Sequence, residues 1–167
     1  MNFSVSRLGP DQVAAYRALR LSALESNPES FGASFTEEAS LSDDEWGQRV
    51  SEGMLFGAWT EGALVGCVGL ALRAKVKLRH KVILWGMFVD PDRRALGIGK
   101  RLLDASLSHA RGQFEEVILT VVAENDVAIR LYVGAGFREY GRESRDIKID
   151  DRYYDEILMR LPLPQDR

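Results

Sequence analysis

The segment Val89-Asp90-Pro91-Asp92-Arg93-Arg94-Ala95-Leu96-Gly97-Ile98-Gly99-Lys100 joins an apolar run to an amphipathic one, and its residue types suit an anion. A strand that feeds directly into a helix leaves the first helical N–H groups without partners, at the positive end of the helix dipole. Glycines at 97 and 99 remove Cβ atoms that would hold a phosphate off that backbone, while Arg94 and Lys100 add countercharge. Pyrophosphate is the ligand this chemistry favours; the bland alternative is a structural turn ahead of a helix. Two nucleotide motifs fail here. Leu102 stands where the dinucleotide pattern has its third glycine, and no Gly-Lys-Ser/Thr follows as in a P-loop.

Other residues capable of chemistry are few. Cys67 is the only cysteine, which excludes an internal disulfide and a thiolate metal cage; on a strand it reads as core filler rather than as a nucleophile. His80 and His109 are the only histidines and lack zinc-ligand spacing, so no metal is expected. Taken alone, Tyr132 is a core aromatic at helical spacing with Ala128, and Asn125 is an N-cap. Lys75, Lys77, Arg79, His80 and Lys81 form a basic cluster that reads as a solvated loop between strands.

The elements that must position these residues follow from periodicity. Phe3 and Val5 alternate with polar residues as in an edge strand, and Gly9-Pro10-Asp11 ends the pattern. Val13, Tyr16, Leu19, Ala23 and Leu24 recur at helical spacing up to Asn27-Pro28. Residues 29–41 read as irregular. Ser42 with Glu45 is a capping box that opens a short helix through Trp46 and Val50. Residues 54–59 and 64–72 are strands joined by a tight turn with Gly62 at positive φ. Residues 82–89 are apolar on both faces, with Val82, Leu84 and Phe88 alternating with Ile83, Trp85 and Met87, as expected mid-sheet. Gly86 inside that run favours a bulge or a close backbone approach. A helix then carries Ile98, Leu102, Leu103, Leu107 and Ala110 inward. Residues 117–122 form a strand, and Asn125-Asp126 opens a helix through Tyr132 that Gly134-Ala135-Gly136 stops. Two strands, from Phe137 and from Tyr153 to Leu161, complete the chain, with charged residues 145–152 read as a loop or hairpin tip.

A length of 167 residues and 46% hydrophobic content support one domain over 1–167, with no repeat or linker. No apolar stretch approaches the roughly 20 residues that span a bilayer, and the N-terminus has no secretory pattern, so a cytoplasmic protein without membrane contact is expected. With 22 basic against 25 acidic residues, the net charge of −3 offers no field for nucleic acid. Mixed strands and helices give an α/β (α+β) architecture around one central sheet.

Two segments together resemble the GNAT superfamily of N-acetyltransferases. Its coenzyme A loop, Arg/Gln-x-x-Gly-x-Gly/Ala after a strand, is matched by Arg94-Ala95-Leu96-Gly97-Ile98-Gly99, and its second element by Asn125, Ala128, Tyr132 and Gly136-Phe137. The resemblance runs over roughly residues 54–161 and departs at Ala95, where many members have glycine. Alanine suits most backbone conformations but not positive φ.

The resemblance implies a mixed, mostly antiparallel twisted sheet of about seven strands flanked by about four helices. It implies acetyl-CoA as cosubstrate, bound by Met87, Phe88 and Val89 along the pantetheine arm, by Arg94, Ala95, Leu96, Gly97, Ile98, Gly99 and Lys100 at the pyrophosphate, and by Asn125 and Tyr132. Tyr132 would be the acid for the leaving thiolate, and a bulge at Gly86 would free the N–H of Met87 or Phe88 for the oxyanion. The reaction implied is acetyl transfer to a primary amine of a small molecule or peptide by direct attack. A base is also needed; Glu37, Glu38, His80 and Glu124 are the candidates. The rival readings are an acyl-coenzyme A sensor without catalysis and a nucleic-acid-binding domain. A homodimer through the C-terminal strands is admitted, although no heptad marks one.

Overall fold

Seven strands form one open mixed sheet in the order β1-β2-β3-β4-β5-β7-β6, in a computed structural model describing residues 2–165. They are β1 (Ser4–Arg7), β2 (Met54–Thr60), β3 (Ala63–Leu72), β4 (Lys81–Val89), β5 (Glu116–Val122), β6 (Arg138–Ile149) and β7 (Arg152–Pro162). The helices are α1 (Val13–Ser26), α2 (Phe35–Ala39), α3 (Asp43–Glu52), α4 (Ile98–Ala110) and α5 (Asp126–Gly134). Every neighbouring pair of strands is antiparallel except β4 and β5. Four helices of real length and seven strands match the architecture that the sequence implied. Among the described residues, no helix is long and apolar enough to cross a membrane.

Local chemistry explains most boundaries. The β2–β3 turn holds Glu61 and Gly62 at φ +50° and +81°, the handedness that suits twisted antiparallel strands. Ser42 caps α3 by accepting from the Glu45 N–H at 3.2 Å, and Glu45 accepts from the Ser42 N–H at 2.7 Å. The same device appears where the sequence reads as irregular: Ser34 and Glu37 cap α2. That helix has only five residues, too few to show an apolar period. The supposed loop at 145–152 is also corrected, because β6 runs to Ile149 and only Asp150-Asp151 turn the chain. Its charged side chains belong to a strand exposed on most of both faces, so charge there marks solvent rather than a loop.

Helices cover both faces of the sheet. On one side Leu102, Leu103 and Leu107 of α4 and Tyr132 of α5 pack on Val68, Leu70, Val82, Leu84, Val117, Leu119 and Met159. On the other, Tyr16 and Leu24 of α1 and Trp46 and Val50 of α3 pack on Leu55, Cys67 and Phe88. Strand β4 thus contributes Leu84 to one core and Phe88 to the other, although the sequence alternation places them together. An extra residue explains the switch. The pairing passes from Gly69 opposite Trp85 to Cys67 opposite Phe88, so Gly86 and Met87 share the place facing Val68. Gly86 lies at φ +65°, as a bulge of this kind requires. The bulge expected from the sequence is present, and it turns every later side chain of β4 to the opposite face.

Candidate active site

Strands β4 and β5 pair only at Lys81 with Glu116, Val82 with Val117 and Ile83 with Ile118, and then separate. Beyond that point β4 continues to Val89 while β5 follows β7. The side of β4 that faced β5 therefore has no strand partner from Leu84 onward, and Met87, Phe88 and Val89 lie along this opening. Unpaired strand backbone of this kind accepts an extended ligand carrying amides.

At the end of β4 the chain enters the glycine-bearing loop. Arg94 donates from Nε to the Val89 carbonyl at 3.1 Å, folding its side chain back onto the strand end. Gly97 is the N-cap of α4 at φ +79°, and the first intrahelical bond is Arg101 N–H to Gly97 O. The N–H groups of Ile98, Gly99 and Lys100 therefore precede the regular ladder and form the positive end of the helix. Ile98 contributes backbone only, since its side chain is buried in the core. Leu96 is exposed, and Lys100 pairs with Asp104 at 2.8 Å. Ala95 has φ +62°, so the departure noted in the sequence falls on a conformation that alanine disfavours. The strain, about 1–2 kcal/mol, is smaller than the burial of Ile98, Leu102 and Leu103, at roughly 1.5–3 kcal/mol each, which holds the loop in place.

The body of α5 meets the start of α4 here. A Cβ on Gly99 would stand 3.5 Å from Leu131 Cδ2 and 3.8 Å from Val89 Cγ2, so α4, α5 and the end of β4 converge on that glycine. Asn125 caps α5 by accepting from the Ala128 N–H at 3.1 Å. Tyr132 is buried with its ring edge-on to Phe137, 5.7 Å between centroids. Burial pushes its hydroxyl well above the usual tyrosine range, so the proton stays on oxygen.

On the opposite face of the sheet, below α1 and α2, lies a cavity of about 560 Å³. Arg20 and Glu38 wall it from the helices and Phe31 from the segment joining them, and Trp85, Gly86, Thr120, Tyr140 and Glu156 line it from the strands. Its size is that of a small-ligand or side-chain pocket. Because Gly86 lines it, the cavity meets the opening at the bulge.

The expected bases fare poorly in this geometry. Glu37 is exposed and engaged in capping α2. Glu38 lines the cavity, but Arg20 binds both its oxygens at 2.9 and 3.0 Å and Arg49 adds a contact at 3.0 Å. Burial raises the Glu38 carboxyl, but the two arginines outweigh it and hold it below the ordinary range. His80 is exposed before β4, and Glu124 pairs with Arg152 at 3.0 Å on the surface. The acid that sequence reading missed is Glu156 of β7, buried beside Thr120. Its signal was present: within Tyr154-Asp155-Glu156-Ile157-Leu158 it occupies the same strand face as Leu158.

Cys67 is buried, and desolvation pushes its thiol up to about 12, so thiolate is scarce at neutral pH. Cys67→Ala is expected to keep full turnover with a modest loss of stability, checked by initial rates beside thermal melting. Among the described residues, no group of three or more His, Cys, Asp or Glu is placed to hold a metal ion.

The open seven-stranded sheet with its covering helices is matched by known proteins. The profile of the acetyltransferase (GNAT) family aligns with residues 18–137, and the chain belongs to that family. The N-alpha-acetyltransferase RimI of Mycobacterium tuberculosis is 36% identical over 94 residues, 56% of this chain and 57% of that protein. The chain therefore spans little more than half the length of that curated relative. Two solved structures share the fold. The acetyltransferase of the GNAT family from Streptococcus pneumoniae superposes with a TM-score of 0.85 at 22% identity, over 98% of this chain and all of the other. A putative acetyltransferase from Salmonella typhimurium, solved with acetyl-CoA, gives 0.84 at 17% identity over 100% and 97% of the two chains. At such identities the likeness concerns the fold.

Proposed function

We propose that the protein moves the acetyl group of acetyl-CoA to a primary amine of a peptide or small molecule, by direct attack in a ternary complex. One observation carries the reading: β4 parts from β5 between a phosphate-suited loop at one end and a cavity on the far face. A thioester held along the opening would be approached by an amine from the cavity. The Salmonella typhimurium structure with acetyl-CoA supports the choice of cosubstrate, and the naming of the mycobacterial relative supports an amine acceptor.

In this reading the N–H groups of Ile98, Gly99 and Lys100 and the Arg94 side chain receive the pyrophosphate. The backbone of Met87, Phe88 and Val89 pairs with the pantetheine amides, with Ala95, Leu96 and Gly97 shaping the loop. Asn125 holds the start of α5 so that Tyr132 reaches the sulfur. The Gly86 bulge aims an N–H of Met87 or Phe88 at the carbonyl oxygen, where negative charge develops during attack. The outer strand β6, exposed for most of its length, is the edge through which two copies would pair.

The test is thiol release from acetyl-CoA with peptides bearing free α-amino groups, polyamines, aminoglycosides and amino acids, together with calorimetry of coenzyme A binding. Binding with turnover on one amine class supports the reading; binding without turnover on any of them supports the sensor alternative. Gly99→Asp is expected to weaken coenzyme A binding at least tenfold while the protein still folds, because the carboxylate would meet the pyrophosphate beside Leu131 and Val89. Unchanged affinity in a folded variant would move the phosphate site elsewhere.

A further inference from the structure

Direct attack requires a neutral amine, and at neutral pH an alkylamine arrives as ammonium. Two acids line the cavity, Glu38 and Glu156. Glu38 is held by Arg20 and Arg49, whereas Glu156 has no basic partner among the described residues. Glu156 lies on β7 with Val122 of β5 on one side and Glu143 of β6 on the other, and only 8% of its surface is exposed. The Thr120 hydroxyl and the Asp146 carboxyl are within hydrogen-bonding reach of it. Glu156 therefore sits on the floor of the cavity whose wall includes the Gly86 bulge.

We infer that Glu156 is the base that takes the proton from the acceptor ammonium, and that Thr120 and Asp146 position its carboxyl group. This rests on the acetyl-transfer reading. Glu156 takes one proton from nitrogen and returns it to water by way of exposed Asp146. The nitrogen lone pair forms the C–N bond, the C–S bond breaks with its electrons on sulfur, and Tyr132 supplies the sulfur's proton. The second nitrogen proton restores Tyr132, so one proton is released for each acetyl group transferred.

The charge environment suits the role. Burial, and then the neighbouring Asp146 carboxyl, raise Glu156 to about 7, while the Thr120 hydroxyl acts in the opposite direction. The other charged groups lining the cavity are Arg73 and the Arg20–Glu38 pair, and Glu143 flanks Glu156 on β6. A carboxyl poised near neutrality is ionised often enough to act and basic enough to draw a proton.

The experiment compares wild type with Glu156→Gln on an alanine-initiated peptide, on spermidine and on hydroxylamine, which is already neutral at pH 7. Glu156→Gln should lower kcat/KM on the peptide or spermidine about 10²-fold, remove the acid limb near pH 7, and change the hydroxylamine rate only a few-fold. Folding is not the obstacle. With its folded pKa raised, Glu156 adds stability below its unfolded value and loses it as pH rises through about 7, so the glutamine variant should melt no lower than wild type above that pH. Asp146→Asn should move the acid limb to lower pH and Thr120→Val to higher pH. Equal losses on all three acceptors, or a glutamine variant as active as wild type, would overturn the assignment to Glu156. An acid limb unmoved in both second variants would overturn the positioning roles. A wild type that acetylates none of the three acceptors would overturn the acetyl-transfer reading and this assignment with it.

Discussion

Tyr132→Phe is expected to lower the single-turnover rate of acetyl transfer by about 10²-fold, the lower end of what general-acid assistance supplies, while leaving coenzyme A affinity unchanged. The ring that packs edge-on to Phe137 is kept and only the hydroxyl is removed. The lower end follows from acidity. A thiol ionises near 8.5 and a free tyrosine near 10, and burial raises Tyr132 further, so complete transfer to the thiolate runs uphill. In the proposed mechanism the hydroxyl would stabilise sulfur mainly by hydrogen bonding as the C–S bond lengthens, worth roughly 3 kcal/mol of barrier, and would complete the proton transfer only as the second nitrogen proton restores it. The loss should shrink for an acyl donor whose thiol departs without help. An equal fall on natural and activated thioesters, with a lower melting temperature or weaker cofactor binding, would assign Tyr132 to packing.

Glu38→Ala is expected to destabilise the fold by about 3–5 kcal/mol, a large part of the 5–15 kcal/mol typical of a domain. The side chains of Arg20 and Glu38 are 5% and 7% exposed, and removing the carboxylate leaves the Arg20 guanidinium in the core without a countercharge. Its contacts over Phe31 at 4.8 Å and Trp85 at 5.5 Å cannot replace two charged hydrogen bonds. The exposed Arg17–Asp43 pair is the contrast, with Asp43 95% exposed, and its removal should change little. Because the Glu38 carboxyl is held below its ordinary value, its contribution is present above pH about 4.5 and is lost as pH falls through the folded pKa, so the gap between variant and wild type should narrow in acid. Urea unfolding at neutral and acidic pH measures both effects. A loss no larger than that of Asp43→Ala would show that Arg20 finds another partner.

The sequence made the loop and its helix legible because their signals are local: paired glycines, a flanking arginine and an apolar period through Leu102, Leu103 and Leu107. The Gly86 bulge could be anticipated, since a glycine within an apolar strand has few other uses. Its consequence could not. Which core receives Phe88 depends on whether one or two β4 residues face Val68, and that is a property of pairing. The surroundings of the base candidates were hidden for a related reason. Glu37, Glu38 and Glu124 stood out as loop acids, but Glu38 and Glu124 pair with arginines distant in the sequence, and Glu37 caps α2, a helix too short for periodicity to reveal. Glu156 shares a strand face with Leu158, which hints at burial, but that it lines a cavity follows only from β7 lying beside β5, an arrangement without a local signature.

The central claim is that the amine takes the acetyl group directly from acetyl-CoA bound in the opening between β4 and β5. It is tested most directly by following acetyl-CoA labelled in its acetyl carbons through one turnover with a competent amine, quenched at intervals and resolved by mass spectrometry. The label should pass from cosubstrate to amine with no labelled protein at any time, and Cys67→Ala should give the same time course, in keeping with a buried thiol held up to about 12. Labelled protein that forms first and then delivers its acetyl group to the amine would contradict direct transfer. A label that stays on coenzyme A, with every amine present and the cosubstrate bound, would contradict the enzyme itself.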